Sequence, residues 1–200
     1  MLTRPLSDRE TICRIIHHEL GHWLMAKNVG FGAKEITIGR TKHNSPCGSA
    51  LIDPKPLIQF QQVNDIYTHL LNRTSVLCAG VIADIEWHKK YASFDYSDDD
   101  THYLYENGIM DTTGLSDSGK IEELLYVMNG IKNLPSIDKV EIMNQRHEII
   151  TEAWNKAYKV IADNPTLLNM GKILIKNYFD NKPKSFDKCY LEKIMHSCTV

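Results

Sequence analysis

Residues 17–22 read HHELGH, within the run TICRIIHHELGHWLMAKNVG. His18 and His22 stand four apart, so on a helix their imidazoles lie one above the other on the same face. Two imidazoles so placed can share a tetrahedral metal ion. Glu19, next to the first histidine, can reach a water at that metal without binding the metal itself. This is the HExxH pattern of zinc-dependent hydrolysis, with glutamate as general base. The expected ion is Zn2+, which lowers the pKa of its water from 15.7 to about 7. His17 points about 100° away around the helix, so it is read as a packing neighbour of the ligands. Gly21 allows another helix to approach closely.

A hydrolytic zinc site takes three protein ligands and keeps one position open. The third must come from a distant part of the chain. The carboxylates on offer include Asp84, Glu86 and the run SDDD at 97–100.

The elements that must position these groups can be read from capping and periodicity. Ser7 with Glu10 forms a capping box, and Ile12, Ile15, Ile16, Glu19, Trp23 and Ala26 follow at helical spacing, ending near Gly30. AKEITIGR predicts a strand at about 33–40, and SALID, after a turn, a second short one. QVNDIYTHLLNRTSVLCAGVIADIEWHKKY predicts one long helix or two, with Gly80 marking close packing rather than a break. Ser97 is a candidate cap for a further helix, and NGIMDTTGLSDSGK reads as a connector. Helices are expected at about 119–132, 136–163 and 165–179, with Pro135 and Pro165 at their starts, then a short one over DKCYLEKIMHS. The expected fold class is mostly α (α+β): a single domain over residues 1–200, with a small β-hairpin after the HExxH helix.

Composition narrows the function. A net charge of -2 gives no electrostatic case for nucleic acid or an anionic membrane surface. No apolar stretch approaches the roughly 18 residues of a membrane span, and the first residues lack a signal-peptide core. Five irregularly spaced cysteines argue against a disulfide framework. The expected setting is cytoplasmic.

The order of these features resembles the peptidase domain of the FtsH-type zinc proteases, over about residues 9–196. The pieces that carry the resemblance are HELGH at 18–22, KEITIGR at 34–40, CAGVIADIEW at 78–87, YSDDDTHYL at 96–104 and the helical tail. It implies His18 and His22 as metal ligands, Glu19 as the base, and an aspartate at a helix start as third ligand. Laid on this sequence, that aspartate is Asp99, with Asp98 and Asp100 as neighbouring alternatives. Asp84, at the acidic position of the AGxxAD stretch, is implied to orient a ligating histidine. The chain departs from the family in having no ATPase module, no GxxxxGK[ST] loop and no membrane helix, and Val81 stands where the family has arginine. ATP-driven unfolding is therefore not carried over.

The expected function is a stand-alone zinc metalloendopeptidase acting on flexible or unfolded protein or peptide substrates. The alternatives are a non-catalytic metal-binding interaction module, a peptidase subunit docking on a separate ATPase or regulatory protein, and a repressor-cleaving regulatory metallopeptidase.

Overall fold

A computed structural model describes residues 6–56, 59–91 and 115–198. It is a mostly helical α+β structure, with six helices and a small three-stranded antiparallel sheet among the described residues. Helix α1 spans Asp8–Asn28 and is followed by strands β1, Gly32–Arg40, and β2, Pro46–Asp53. Helix α2, Val63–Tyr91, is unbroken through Gly80. Then come α3, Leu115–Lys132, α4, Lys139–Ile161, and α5, Pro165–Asn181. A two-residue strand β3, Ser185–Phe186, precedes α6, Lys188–Cys198.

Helix α1 starts as its sequence dictates. The Ser7 side chain accepts from the Glu10 amide while the Glu10 carboxylate accepts from the Ser7 amide, satisfying two of the open donors at the helix start. Every residue from Ile15 to Ala26 is buried, so this part of α1 is enclosed on all sides rather than lying amphipathic on a surface. It packs on α2, α4, α5, β1 and β2. Its contact with α2 is close because position 21 is glycine: a Cβ there would lie 2.4 Å from the Ala79 carbonyl and 2.7 Å from Ala83 Cβ. Trp23 is fully buried and donates its indole N–H to the Lys34 carbonyl at 3.0 Å, which ties α1 to β1.

The hairpin is longer than its apolar pattern predicts. β2 begins at Pro46 rather than Ser49, pairing antiparallel with β1 from Arg40↔Pro46 to Gly32↔Asp53. Strand order is β2-β1-β3, so β2 has one edge unpaired within the sheet. β3 is too short to leave a periodic signal, and it forms by pairing Phe186 with Ile36.

Two helix starts also differ from the sequence expectation. α4 begins after Asp138, whose side chain caps Val140, so Pro135 lies outside the helix. α3 begins at Leu115 rather than 119, absorbing half of the expected connector. The Ser97 cap expected upstream lies outside the described residues. Among the described residues, no helix is long and apolar enough to cross a membrane.

Candidate metal centre

Burying α1 carries His17, His18, Glu19 and His22 into the interior, with 0–8% of each side chain's residue surface exposed. Ionisable groups there are costly unless partnered, and helix α2 provides the partners. His18 Nδ1–H donates to Asp84 Oδ2 at 3.0 Å, and His22 Nδ1–H donates to the Val76 carbonyl at 2.7 Å. A carbonyl can only accept, so the hydrogen of His22 is fixed on Nδ1 and its Nε2 presents a lone pair. The Asp84 carboxylate fixes His18 the same way.

Between these two anchors lies Gly80. A Cβ at that position would sit 2.5 Å from Cε1 and Nε2 of His22 and 2.8 Å from Cε1 of His18. Val76, Gly80 and Asp84 follow at intervals of four, so one face of α2 serves both rings: a support, a space and a support.

The two free nitrogens converge. His18 Nε2 and His22 Nε2 are 3.0 Å apart, and Asp117 Oδ2, from the first turn of α3, lies 3.5 Å and 3.1 Å from them. A tetrahedral ion with ligands at about 2.0–2.1 Å places those ligands about 3.3 Å apart, so the three donors outline one face of such a tetrahedron. Two imidazole lone pairs at 3.0 Å also repel unless a cation lies between them, either a proton or a metal. All three residues are buried, and no other group of three such ligands is found among the described residues. The residues present therefore fit a divalent ion.

Electrostatics agree with a cation at that point. Burial opposes a charged His18, but the Asp84, Asp117 and Glu19 carboxylates hold its pKa up at about 10. Burial raises Asp117, and the His18 and His22 rings beside it, when they carry a proton on Nε2 as well, overcome this and lower it. Asp117 Oδ1, turned away from the pair, accepts from Lys120 Nζ at 3.3 Å.

No family model matches this chain. No curated protein matches it either.

A cavity of about 330 Å3 opens onto the centre, lined by His18, Glu19, His22, Asp117 and the consecutive strand residues Gly48 to Ile52. Consecutive residues alternate between the two faces of a strand, so it is the unpaired edge of β2 that borders the cavity. A second cavity of about 330 Å3 shares His18, Glu19 and Gly48 and continues toward Pro46, Cys47 and Arg14. The two cavities adjoin where Gly48 packs on Ile15 and Glu19. Gly48 leaves room for the Glu19 side chain: a Cβ there would meet Glu19 Cγ at 3.0 Å and Oε1 at 3.2 Å.

His18, Glu19, His22 and Asp84 are thus brought together at one place. Asp99, Asp98 and Asp100 lie outside the described residues. Among the described residues, the carboxylate that meets the histidine pair is Asp117, within the stretch GLSDSGK expected to be a connector. Its signals are slight: an acid in a helix first turn, which suits the helix dipole, with Lys120 three residues on. His17 stays apart from the centre, donating from Nδ1 to the Cys13 carbonyl at 2.9 Å and packing its far edge on Gly171.

Proposed function

We propose that this chain is a zinc-dependent endopeptidase of the FtsH-like type, acting on extended or unfolded polypeptide, with His18, His22 and Asp117 as the metal-holding residues. The observation that carries the reading is the meeting of His18 Nε2, His22 Nε2 and Asp117 Oδ2 within 3.5 Å, beside Glu19, at the wall of a cavity bordered by a strand edge.

A divalent ion held there would supply Lewis acidity, polarising a carbonyl and making water acidic enough to lose a proton near neutral pH. Glu19 would take that proton as water attacks the scissile carbon, then deliver it to the departing amine. The N–H and C=O groups on the edge of β2 left unpaired among the described residues can hydrogen-bond an extended peptide as an added strand, which favours unfolded substrate over compact domains. The cavity runs beside five consecutive residues of β2, which supports binding of an extended stretch of polypeptide rather than a single residue. The resemblance to the FtsH type rests on the HELGH helix, the hairpin and the AGxxAD segment, in which Gly80 makes room for the rings and Asp84 holds His18.

The test pairs two variants. Glu19→Gln should bind about one zinc per chain and leave a denatured protein substrate uncut. Asp117→Ala should lose zinc affinity by more than the roughly 10- to 100-fold typical of losing a ligand's supporting hydrogen bond. Cleavage by the Glu19→Gln protein at the unaltered rate would overturn the peptidase reading. Unaltered zinc affinity in Asp117→Ala would remove Asp117 from the ligand set.

A further inference from the structure

The charges around the two adjoining cavities do not match the chain as a whole. Among the described residues, their acidic members are Glu19, Asp84 and Asp117. Each already has a task at the centre: proton acceptor, support of His18, and metal ligand. The basic members are Arg14, Arg73 and Lys120. Three carboxylates against three cations leave no net charge, and a divalent ion raises the cleft to two positive charges. The chain carries a net charge of -2. With such an ion bound, the cleft would be a positive hollow in a slightly acidic molecule, which would favour approach of negatively charged ligands.

The three cations are not equivalent. Lys120 is bonded to Asp117. Arg14 is half-buried, with its Nε enclosed and without a hydrogen-bond partner among the described residues. Arg73 is exposed, lines the cavity beside Val76 and Leu77, and forms no ion pair among the described residues. It stands one turn before Val76, the residue that holds His22, so its place relative to the centre is set by a rigid helix. Its one marked effect on a neighbour is to push down the charge of His69, four residues earlier, adding to burial. The same cavity is lined by the apolar side chains of Leu51, Ile52 and Pro54 at the end of β2. A guanidinium at an apolar rim is well suited to a carboxylate, which it can engage with two parallel hydrogen bonds.

Resting on the peptidase reading, we infer that the substrate carries an acidic side chain close to the bond to be cut, on the side that lies toward Leu51 and Ile52, and that Arg73 receives its carboxylate. A free C-terminal carboxylate offers the same chemistry, and the run of the cavity beside five consecutive residues of β2 favours the internal side chain of an extended chain.

The experiment uses quenched-fluorescence peptides, identical except for Glu, Gln or Lys at one position at a time, each made with a free and with an amidated C-terminus. With wild-type protein, kcat/KM for Glu should exceed that for Gln by about 3- to 5-fold at one or two positions on one side of the cut, as an accessible ion pair allows. The preference should shrink in high salt and should not depend on the C-terminus. Arg73→Gln should bring the Glu-to-Gln ratio to about one, and Arg73→Glu should turn it in favour of Lys. A second measurement needs no turnover: fluorescence anisotropy of the labelled peptides on zinc-loaded Glu19→Gln protein, with and without Arg73→Gln, should give the same ordering. Equal handling of Glu and Gln peptides in both measurements, or a Glu preference unmoved by Arg73→Gln, overturns the inference. A preference that vanishes on amidation would assign Arg73 to the C-terminal carboxylate and overturn the internal site. Charge-selective binding without hydrolysis of any peptide would overturn the peptidase reading and leave carboxylate recognition standing.

Discussion

Gly80→Ala isolates the metal centre from the stability of the fold. The added Cβ would fall 2.5 Å from Cε1 and Nε2 of His22 and 2.8 Å from Cε1 of His18, against about 3.4 Å for ordinary contact. The His22 ring would have to move by about 0.9 Å and the His18 ring by about 0.6 Å, both beyond the roughly 0.5 Å within which such a constellation works. Neither ring can withdraw freely, because Val76 and Asp84 of the same helix hold their Nδ1 atoms. If relief comes by giving up one of these bonds, the loss is about 2 kcal/mol, or a zinc affinity lower by about 30-fold. Helix propensity acts the other way, since alanine is better than glycine inside a helix by about 1 kcal/mol. The expected outcome is a zinc affinity lower by 30-fold or more, with the metal-free protein less stable by only about 1 kcal/mol, the bond given up less the helix gain. Competition with a chromophoric chelator reads the affinity, and urea unfolding of the stripped protein reads the stability. Gly130→Ala is the control, because nothing lies within 4 Å of its Cβ. Zinc affinity in Gly80→Ala within about 3-fold of wild type would refute the reasoning.

Asp84→Asn keeps the shape of the His18 partner but removes its charge, so zinc affinity should fall by about 10- to 100-fold, measured by the same competition. His88 gives a pH signature away from the ligands. Burial lowers its pKa from 6.5 to about 4, so between those values the unfolded chain takes up a proton that the folded chain excludes, and stability falls as pH drops. Between pH 7 and pH 4.5 this amounts to about 2 kcal/mol. In chelator, the urea stability of His88→Gln should lose that much less than wild type over the same interval. Equal losses would show that His88 is not kept neutral by the fold.

The parts of the site that share a local rule were legible in the sequence. Four-residue spacing placed His18 and His22 on one face, and the glycines at 21 and 80 marked close approaches that the structure realises with Ala79 and with the imidazoles. Ser7 and Glu10 announced the start of α1. The mostly helical outline and the hairpin were legible for the same reason, since each element carries its own periodicity. Asp117 was not, because its partners lie 95 and 99 residues away and no spacing rule spans that distance. Its surroundings, rich in serine, glycine and aspartate, favour turns when read alone. Tertiary contact with the histidines, and an acid's affinity for a helix start, turn that stretch into the first turn of α3. β3 escaped notice because two residues make no pattern.

Helices α1 and α2 meet with matching four-residue steps, so the histidines of one and the triplet Val76, Gly80 and Asp84 of the other act like teeth and a gauge. Were α2 to slide by one turn, a bulky side chain would replace the notch and a ring would lose its anchor. Zinc uptake would then be a quality mark: only molecules whose two central helices have meshed in the right frame could be charged with the ion, and the metal content of a preparation would count them.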